Sequence, residues 1–170
     1  MGLPANTVRM CVYSPHWPTL YSEERERLLK TLGSYPVQFA HIGSTSVPGL
    51  AAKPIIDILL GVSVPEQKLA ITAHLKNLGY DSHGEKGVPG RLFFTLGDPC
   101  CFHLHLVDLE GDIWHDHRLF RDSLIADPKL AATYEKLKKR LAVQFPSDRE
   151  SYTRGKANFI ENTIRDLRRH

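Results

Sequence analysis

The sequence predicts a mixed α/β domain: a β-sheet with helices packed on it and a helical C-terminal part. Three observations predict it. Apolar runs of strand length alternate with amphipathic stretches of helix length as far as residue 107. Only helical periodicity remains beyond that point. The length, 170 residues at 42% hydrophobic, is one domain's worth with enough apolar material for a core, so residues 1–170 are read as one unit.

Each element has its own signal. Residues 8–13 alternate weakly and predict an edge strand. Pro15 and Pro18 flank His16 and Trp17 in a turn. Thr19 or Ser22 can cap a helix running to Leu32, with Tyr21, Leu28, Leu29 and Leu32 at helical spacing and Gly33 at its end. Residues 37–42 predict a short strand. Residues 54–62 predict a buried one, continuous in Ile, Leu and Val, with Pro54 placed where a missing N–H is tolerated. Pro65 opens a helix with Leu69, Ala73 and Leu78 as its stripe and Gly79 as its stop. Residues 80–90 are polar and glycine-rich and predict a mobile loop. Residues 91–96 and 101–107 predict two strands around a Gly97-Asp98-Pro99 turn, a hairpin lying beside the strand of Asp57. Asp112 can cap a helix through Trp114, Phe120 and Leu124. Pro128 starts another, with Leu130, Tyr134, Leu137 and Leu141 inward. Ser147 with Glu150 reads as a capping box for a last helix that buries Tyr152, Phe159, Ile160, Ile164 and Leu167.

Composition narrows the function classes. No apolar run approaches the roughly 20 residues of a membrane span. No charged start followed by an apolar stretch marks a signal peptide, so a cytoplasmic protein with no membrane partner is expected. Cys11, Cys100 and Cys101 are odd in number, and two are adjacent, which suits free thiols in a reducing compartment. Net charge is only +3, and no basic stripe with interleaved aromatics is present, so nucleic acid is not an expected partner. The positive excess sits in residues 136–170, with ten Lys or Arg against four Asp or Glu, the pattern of solvated helix faces.

The chemistry concentrates in residues 41–62. Gly43 allows positive φ or close approach of the backbone to a ligand. Ser44, Thr45 and Ser46 add hydroxyl donors, and Pro48-Gly49 reads as a turn. Asp57 then stands in the middle of the apolar strand. A buried carboxylate must be paired, hydrogen-bonded or metal-bound, because burying it bare is too costly. A structural acid and a functional one are both open on this ground.

Residues 41–50 (His-Ile-Gly-Ser-Thr-Ser-Val-Pro-Gly-Leu) and 52–58 (Ala-Lys-Pro-Ile-Ile-Asp-Ile) resemble the GrpB family, of the nucleotidyltransferase superfamily fold. Residues 13–17, His103-Leu104-His105, residues 120–124, Tyr152 and Lys156 extend the resemblance over nearly the whole chain. It implies a nucleotidyltransferase-like mixed β-sheet. Fold alone does not establish a reaction.

In proteins of that fold a Gly-Ser pair opens a loop touching the triphosphate, and two acids spaced by one residue hold Mg²⁺. The resemblance therefore implies Gly43, Ser44 and Thr45 as phosphate binders and Asp57 as the catalytic acid. This chain departs from the pattern, because Leu59 stands where the second acid belongs. His103 and His105, on one strand face, could complete a divalent site with Asp57. Imidazole favours Zn²⁺ or another transition metal over Mg²⁺, so the expected cofactor is a divalent ion, Mg²⁺, Mn²⁺ or Zn²⁺. Two histidines hydrogen-bonded inside the protein are the other reading. Lys53 and Arg91 could contact phosphate. The Arg121–Asp122 pair reads as structural, and His115 with His117 is not expected to be a metal site, since residues two apart on a helix diverge. The expected function is metal-dependent nucleotidyl transfer to an unknown acceptor, with a nucleotide or other phosphorylated small molecule as ligand. The alternative is an inactive ligand- or partner-binding module, which accords with family members joined to a coenzyme A biosynthesis kinase.

Overall fold

A computed structural model describes residues 1–169. The sheet has five strands: β1 (Val37–Ile42), β2 (Ile56–Val62), β3 (Asp81–Ser82), β4 (Leu92–Leu96) and β5 (Phe102–Asp108). Their order is β1-β2-β5-β4-β3. β2 and β5 run parallel, and the β1–β2, β4–β5 and β3–β4 pairs are antiparallel. The continuous apolar run of β2 is explained by its place between β1 and β5, covered on both faces. The hairpin of β4 and β5 lies beside it as the sequence predicts.

The pleat separates two cores. Ile56, Ile58, Leu60, Leu104, Leu106 and Phe94 point to one face, under α1 (Trp17–Leu32) and α2 (Lys68–Asn77). Leu59, Val107, Ala40 and Ile42 point to the other, under Trp114 of α3 (Asp112–Ala126). Asp57, His103 and His105 belong to this second face by the period of two. Beyond α3 pack α4 (Pro128–Gln144) and α5 (Arg149–Leu167). Val47 and Leu50 of the loop between β1 and β2 enter the core formed by Leu124, Tyr134, Phe120 and Phe159, so this loop is wedged against the C-terminal helices.

Several local expectations change. Residues 8–13 form no strand; Cys11 bridges to Ala52, and Val8 is buried against Leu141 and Tyr152 with its amide donating to the Pro146 carbonyl. Leu69 is 81% exposed, and the buried stripe of α2 is Ile71 and Leu75. Ile71 and Leu75, four residues apart, match helical period as well as the predicted set did, and the sheet chose between them. Asp148, not Ser147, caps α5 by accepting from the Ser151 amide. Asp112 makes no cap bond, whereas Asp127 caps α4 by accepting from the amides of Lys129 and Leu130. Leu167 is 37% exposed rather than buried.

Candidate functional site

Asp57 lies at the start of β2, opposite His103 in the parallel register, with Leu59 opposite His105. Its side chain is 27% exposed. His103 Nδ1 is 3.1 Å from Asp57 Oδ1, a hydrogen bond in which the imidazole N–H donates. His105 Nε2 is 3.6 Å from the same oxygen, beyond hydrogen-bond range. Burial pushes the Asp57 carboxyl up, but the two imidazoles more than offset it and hold it well below the usual carboxylate range. Burial likewise lowers His103, against the pull of Asp57, so its ring is neutral at pH 7. The edge of Phe93 packs on both rings, at 5.1 and 5.2 Å.

The other face of the carboxylate explains Gly43. A Cβ there would stand 2.4 Å from Asp57 Oδ2. The residue also has φ 70 and ψ −176, a conformation essentially reserved to glycine. What approaches Gly43 closely is thus the protein's own acid. A short 3-10 turn follows over Ser44–Ser46, in which the Ser46 hydroxyl donates to the Gly43 carbonyl. Thr45 is buried and its hydroxyl bonds His41 Nε2 at 3.0 Å, so it braces the loop and offers nothing to the cleft. His41 stacks on Tyr21, and Arg121 donates to the His41 carbonyl while pairing with Asp122.

The neighbourhood of Asp57 is cationic. Lys53 Nζ lies 5.2 Å and Lys156 Nζ 4.5 Å from the centre of the Tyr152 ring. Among the described residues neither makes an ion pair within 4.0 Å. Burial, then the neighbouring Lys156, lower Lys53 to about 7, although Asp57 pulls the other way. Burial lowers Lys156 to about 8, again against Asp57. Arg91 donates to the carbonyls of Glu85 and Lys86, and both Arg91 and Lys86 lie over the Phe93 ring.

Two contributors escape a reading by sequence spacing alone. His117 packs 5.4 Å from His105, and burial lowers it to about 3. It shares one helix stripe with Trp114, Arg121 and Leu124, and that stripe, rather than the His115–His117 pair, was its signal. Lys138 is fully buried on α4 and donates to the Ala51 carbonyl at 2.5 Å, while Glu135 accepts from the Ala51 amide. Both backbone groups of Ala51 are therefore clamped by one helix, two residues before Lys53.

Asp57, His103 and His105 come together as the sequence suggests. Among the described residues, however, no group of three or more His, Cys, Asp or Glu side chains is arranged to hold a metal ion. The 3.1 Å contact uses the near nitrogen of His103 as a donor to the acid. The donor set thus suits an ion through Asp57 and at most one further side chain.

The sheet order, the loop after β1 and the acid on β2 define a nucleotidyltransferase-like fold. Structures of the Cid1 poly(U) polymerase match with TM-scores of 0.54 to 0.57 at 14 to 16% identity, over less than half of those chains, a likeness of fold alone. The crystal structure of GrpB from Enterococcus faecalis matches with a TM-score of 0.84 and 34% identity, over 93% of this chain and 96% of that one. The family described as GrpB protein matches residues 7–166, and the chain belongs to it. The glutamate-rich protein GrpB of Alkalihalophilus pseudofirmus is 34% identical over 98% of this chain and 99% of its own. UPF0157 protein YqkA of Bacillus subtilis is 36% identical over 98% of this chain, which spans only 49% of that relative. A dephospho-CoA kinase of Mycolicibacterium paratuberculosis is 26% identical, and the chain spans 45% of it. No helix among the described residues is long and apolar enough to cross a membrane.

Proposed function

We propose that this protein binds a nucleotide in the cleft at Asp57 and transfers its nucleotidyl group. One observation carries the reading: Lys53 and Lys156 converge on the Tyr152 ring, half-buried and without a carboxylate partner. Lys156 disfavours the charged form of Lys53, and a polyanion within reach of both desolvated amines relieves that cost. Lys86 and Arg91, over the Phe93 ring that packs on His103 and His105, add positive charge on that side, and phosphate is the chemistry that fits it. Cid1 has been solved bound to MgATP and to a UTP analogue, which supports the reading through the shared fold.

A divalent ion belongs to this reading. Asp57 would hold it, with His105 as a second protein donor and phosphate oxygens as the rest. Bound there, Mg²⁺, Mn²⁺ or Zn²⁺ supplies positive charge to the phosphates. A cytoplasmic location accords with nucleotide supply and with three free thiols.

A second reading, a binding module without turnover, is supported by Leu59, which is fully buried where the superfamily's second acid belongs. Calorimetric titration of the four ribonucleoside triphosphates, with Mg²⁺, Mn²⁺ or Zn²⁺ present, tests both. Binding of at least one is expected, weakened about tenfold or more by Lys53→Met and by Lys156→Met, the size of one lost charge-assisted contact. His115→Ala, on an exposed residue, leaves it unchanged. Binding without pyrophosphate release selects the module. No binding of any triphosphate under any of these ions removes both.

A further inference from the structure

We propose that His103 is a nucleophile that takes the nucleotidyl group onto its Nε2 atom, with Asp57 as the residue that positions it. The proposal rests on the nucleotide-binding reading above. Asp57 Oδ1 accepts the Nδ1–H of His103 at 3.1 Å, which fixes the tautomer and leaves the lone pair on Nε2. Among the described residues that nitrogen has no hydrogen-bond partner, and it is not sealed from solvent. His105 does not share the arrangement. Its Nε2 is turned toward Asp57 at 3.6 Å, and its Nδ1 is sealed inside the protein without a partner. The His103 ring is held from two further sides, by the edge of Phe93 and by its place on β5 between β2 and β4. The charge of Lys53 is felt at His103 and that of Asp57 at Lys53, which puts the three groups in one neighbourhood.

The carboxylate count favours a covalent route. Direct transfer between two oxygens by a pair of ions needs several carboxylates, and this cleft supplies one. An imidazole nitrogen attacks phosphorus without that machinery and divides one hard step into two easier ones. In the first, the Nε2 lone pair forms a bond to the α-phosphorus of a nucleoside triphosphate. The bond from that phosphorus to the oxygen bridging to the β-phosphate breaks. Its electron pair leaves with pyrophosphate, which Lys53 and Lys156 hold. The ring keeps its Nδ1 proton and gains positive charge, facing the Asp57 carboxylate. In the second, an acceptor hydroxyl oxygen attacks the same phosphorus. The N–P bond breaks, its electrons return to Nε2, and the hydroxyl proton passes to water.

The test incubates the full chain, with Mg²⁺ or Mn²⁺ present, with each of the four ribonucleoside triphosphates labelled at the α-phosphorus and, separately, at the γ-phosphorus. The α-label is expected on the protein, labile to acid and stable to alkali as a P–N bond is, and mapping to His103 by fragment mass. Pyrophosphate release should match the label in amount. His103→Asn should lose the label while still binding nucleotide in calorimetry, and Asp57→Asn should cut labelling at least tenfold. His115→Ala should label as the parent does. Nucleotide bound with no α-label, label from the γ-position alone, or a hydroxylamine-sensitive label on a carboxylate each overturn the nucleophile and leave the binding reading standing. Failure of every triphosphate to bind overturns both.

Discussion

Leu59, two residues after Asp57 on the same strand face, is fully buried among Ala40, Ile42, Val107 and Trp114. The position has been absorbed into a core, so an acid cannot simply be put back. Leu59→Asp is expected to destabilise the fold by about 3 kcal/mol or more, as an unpaired buried charge does, and not to raise ion affinity. A urea titration and a Mn²⁺ titration of the same variant check both statements. A stable Leu59→Asp protein with tighter ion binding contradicts the account. Gly43 is the second decisive residue. Its backbone conformation and the 2.4 Å approach of Asp57 Oδ2 act together. Gly43→Ala should therefore cost roughly 1–3 kcal/mol of stability and also displace the acid. This differs from a glycine kept only for a ligand, whose replacement would leave the melting temperature alone, and thermal denaturation separates the two.

At the scale of elements, α3 lies close on the sheet because β2 carries a glycine under it. A Cβ on Gly61 would stand 2.7 Å from Leu109 Cδ1 and 2.8 Å from Trp114 Cε3. Gly61→Ala should push α3 outward at a cost of roughly 1–3 kcal/mol, the usual range for overpacking. His117 rides on α3, so its ring should shift relative to His105, visible in the imidazole resonances of an NMR spectrum. Unchanged His105 and His117 shifts would show that α3 does not set that contact. The loop between β1 and β2 is a comparable case. Residues 43–53 are not free, since Val47 and Leu50 are in a core and Ala51 is clamped by Glu135 and Lys138. Lys53 inherits its position from α4.

At the scale of the molecule, the lysines make a pH-dependent device of the cleft. Lys53 at about 7 and Lys156 at about 8 both lie below the ordinary value of 10.5. Between those values the folded protein holds fewer protons than the unfolded chain, so the stability of the ligand-free protein rises as pH increases from about 7 toward 10. The groups around these amines are Asp57, His103, Lys138, Arg149, Cys100 and the Tyr152 ring. Of these only Asp57 is negative at neutral pH. A polyanion binds the protonated amines, so its affinity has the opposite sign. It should fall as pH rises through 7 to 9, by at most about tenfold per unit for each lysine, with net proton uptake on binding below pH 9. Calorimetry of one triphosphate in buffers of different ionisation enthalpy measures that uptake. An affinity flat from pH 6.5 to 9 would remove the lysines from the ligand's contacts.

Much of this was legible in the chain itself. The strand of Asp57 was visible because a central parallel strand is apolar on both faces and so reads as a continuous run. Alternation put His103 and His105 on one face of a strand expected beside that of Asp57, the direct His103–Asp57 hydrogen bond being visible only in the structure, and β1 was placed at its true limits. The false edge strand and the wrong stripe on α2 show the limit of period alone, where two residue sets fit equally and packing chooses. The tertiary structure alone decided the rest. It turned Thr45 inward to His41, brought Lys53 and Lys156 to one tyrosine from positions 103 residues apart, and placed His117 against His105. Side-chain period is a property of neighbours along the chain and can be read from sequence. Which distant charges share a cleft depends on how helices close over a sheet, and local pattern carries no record of that.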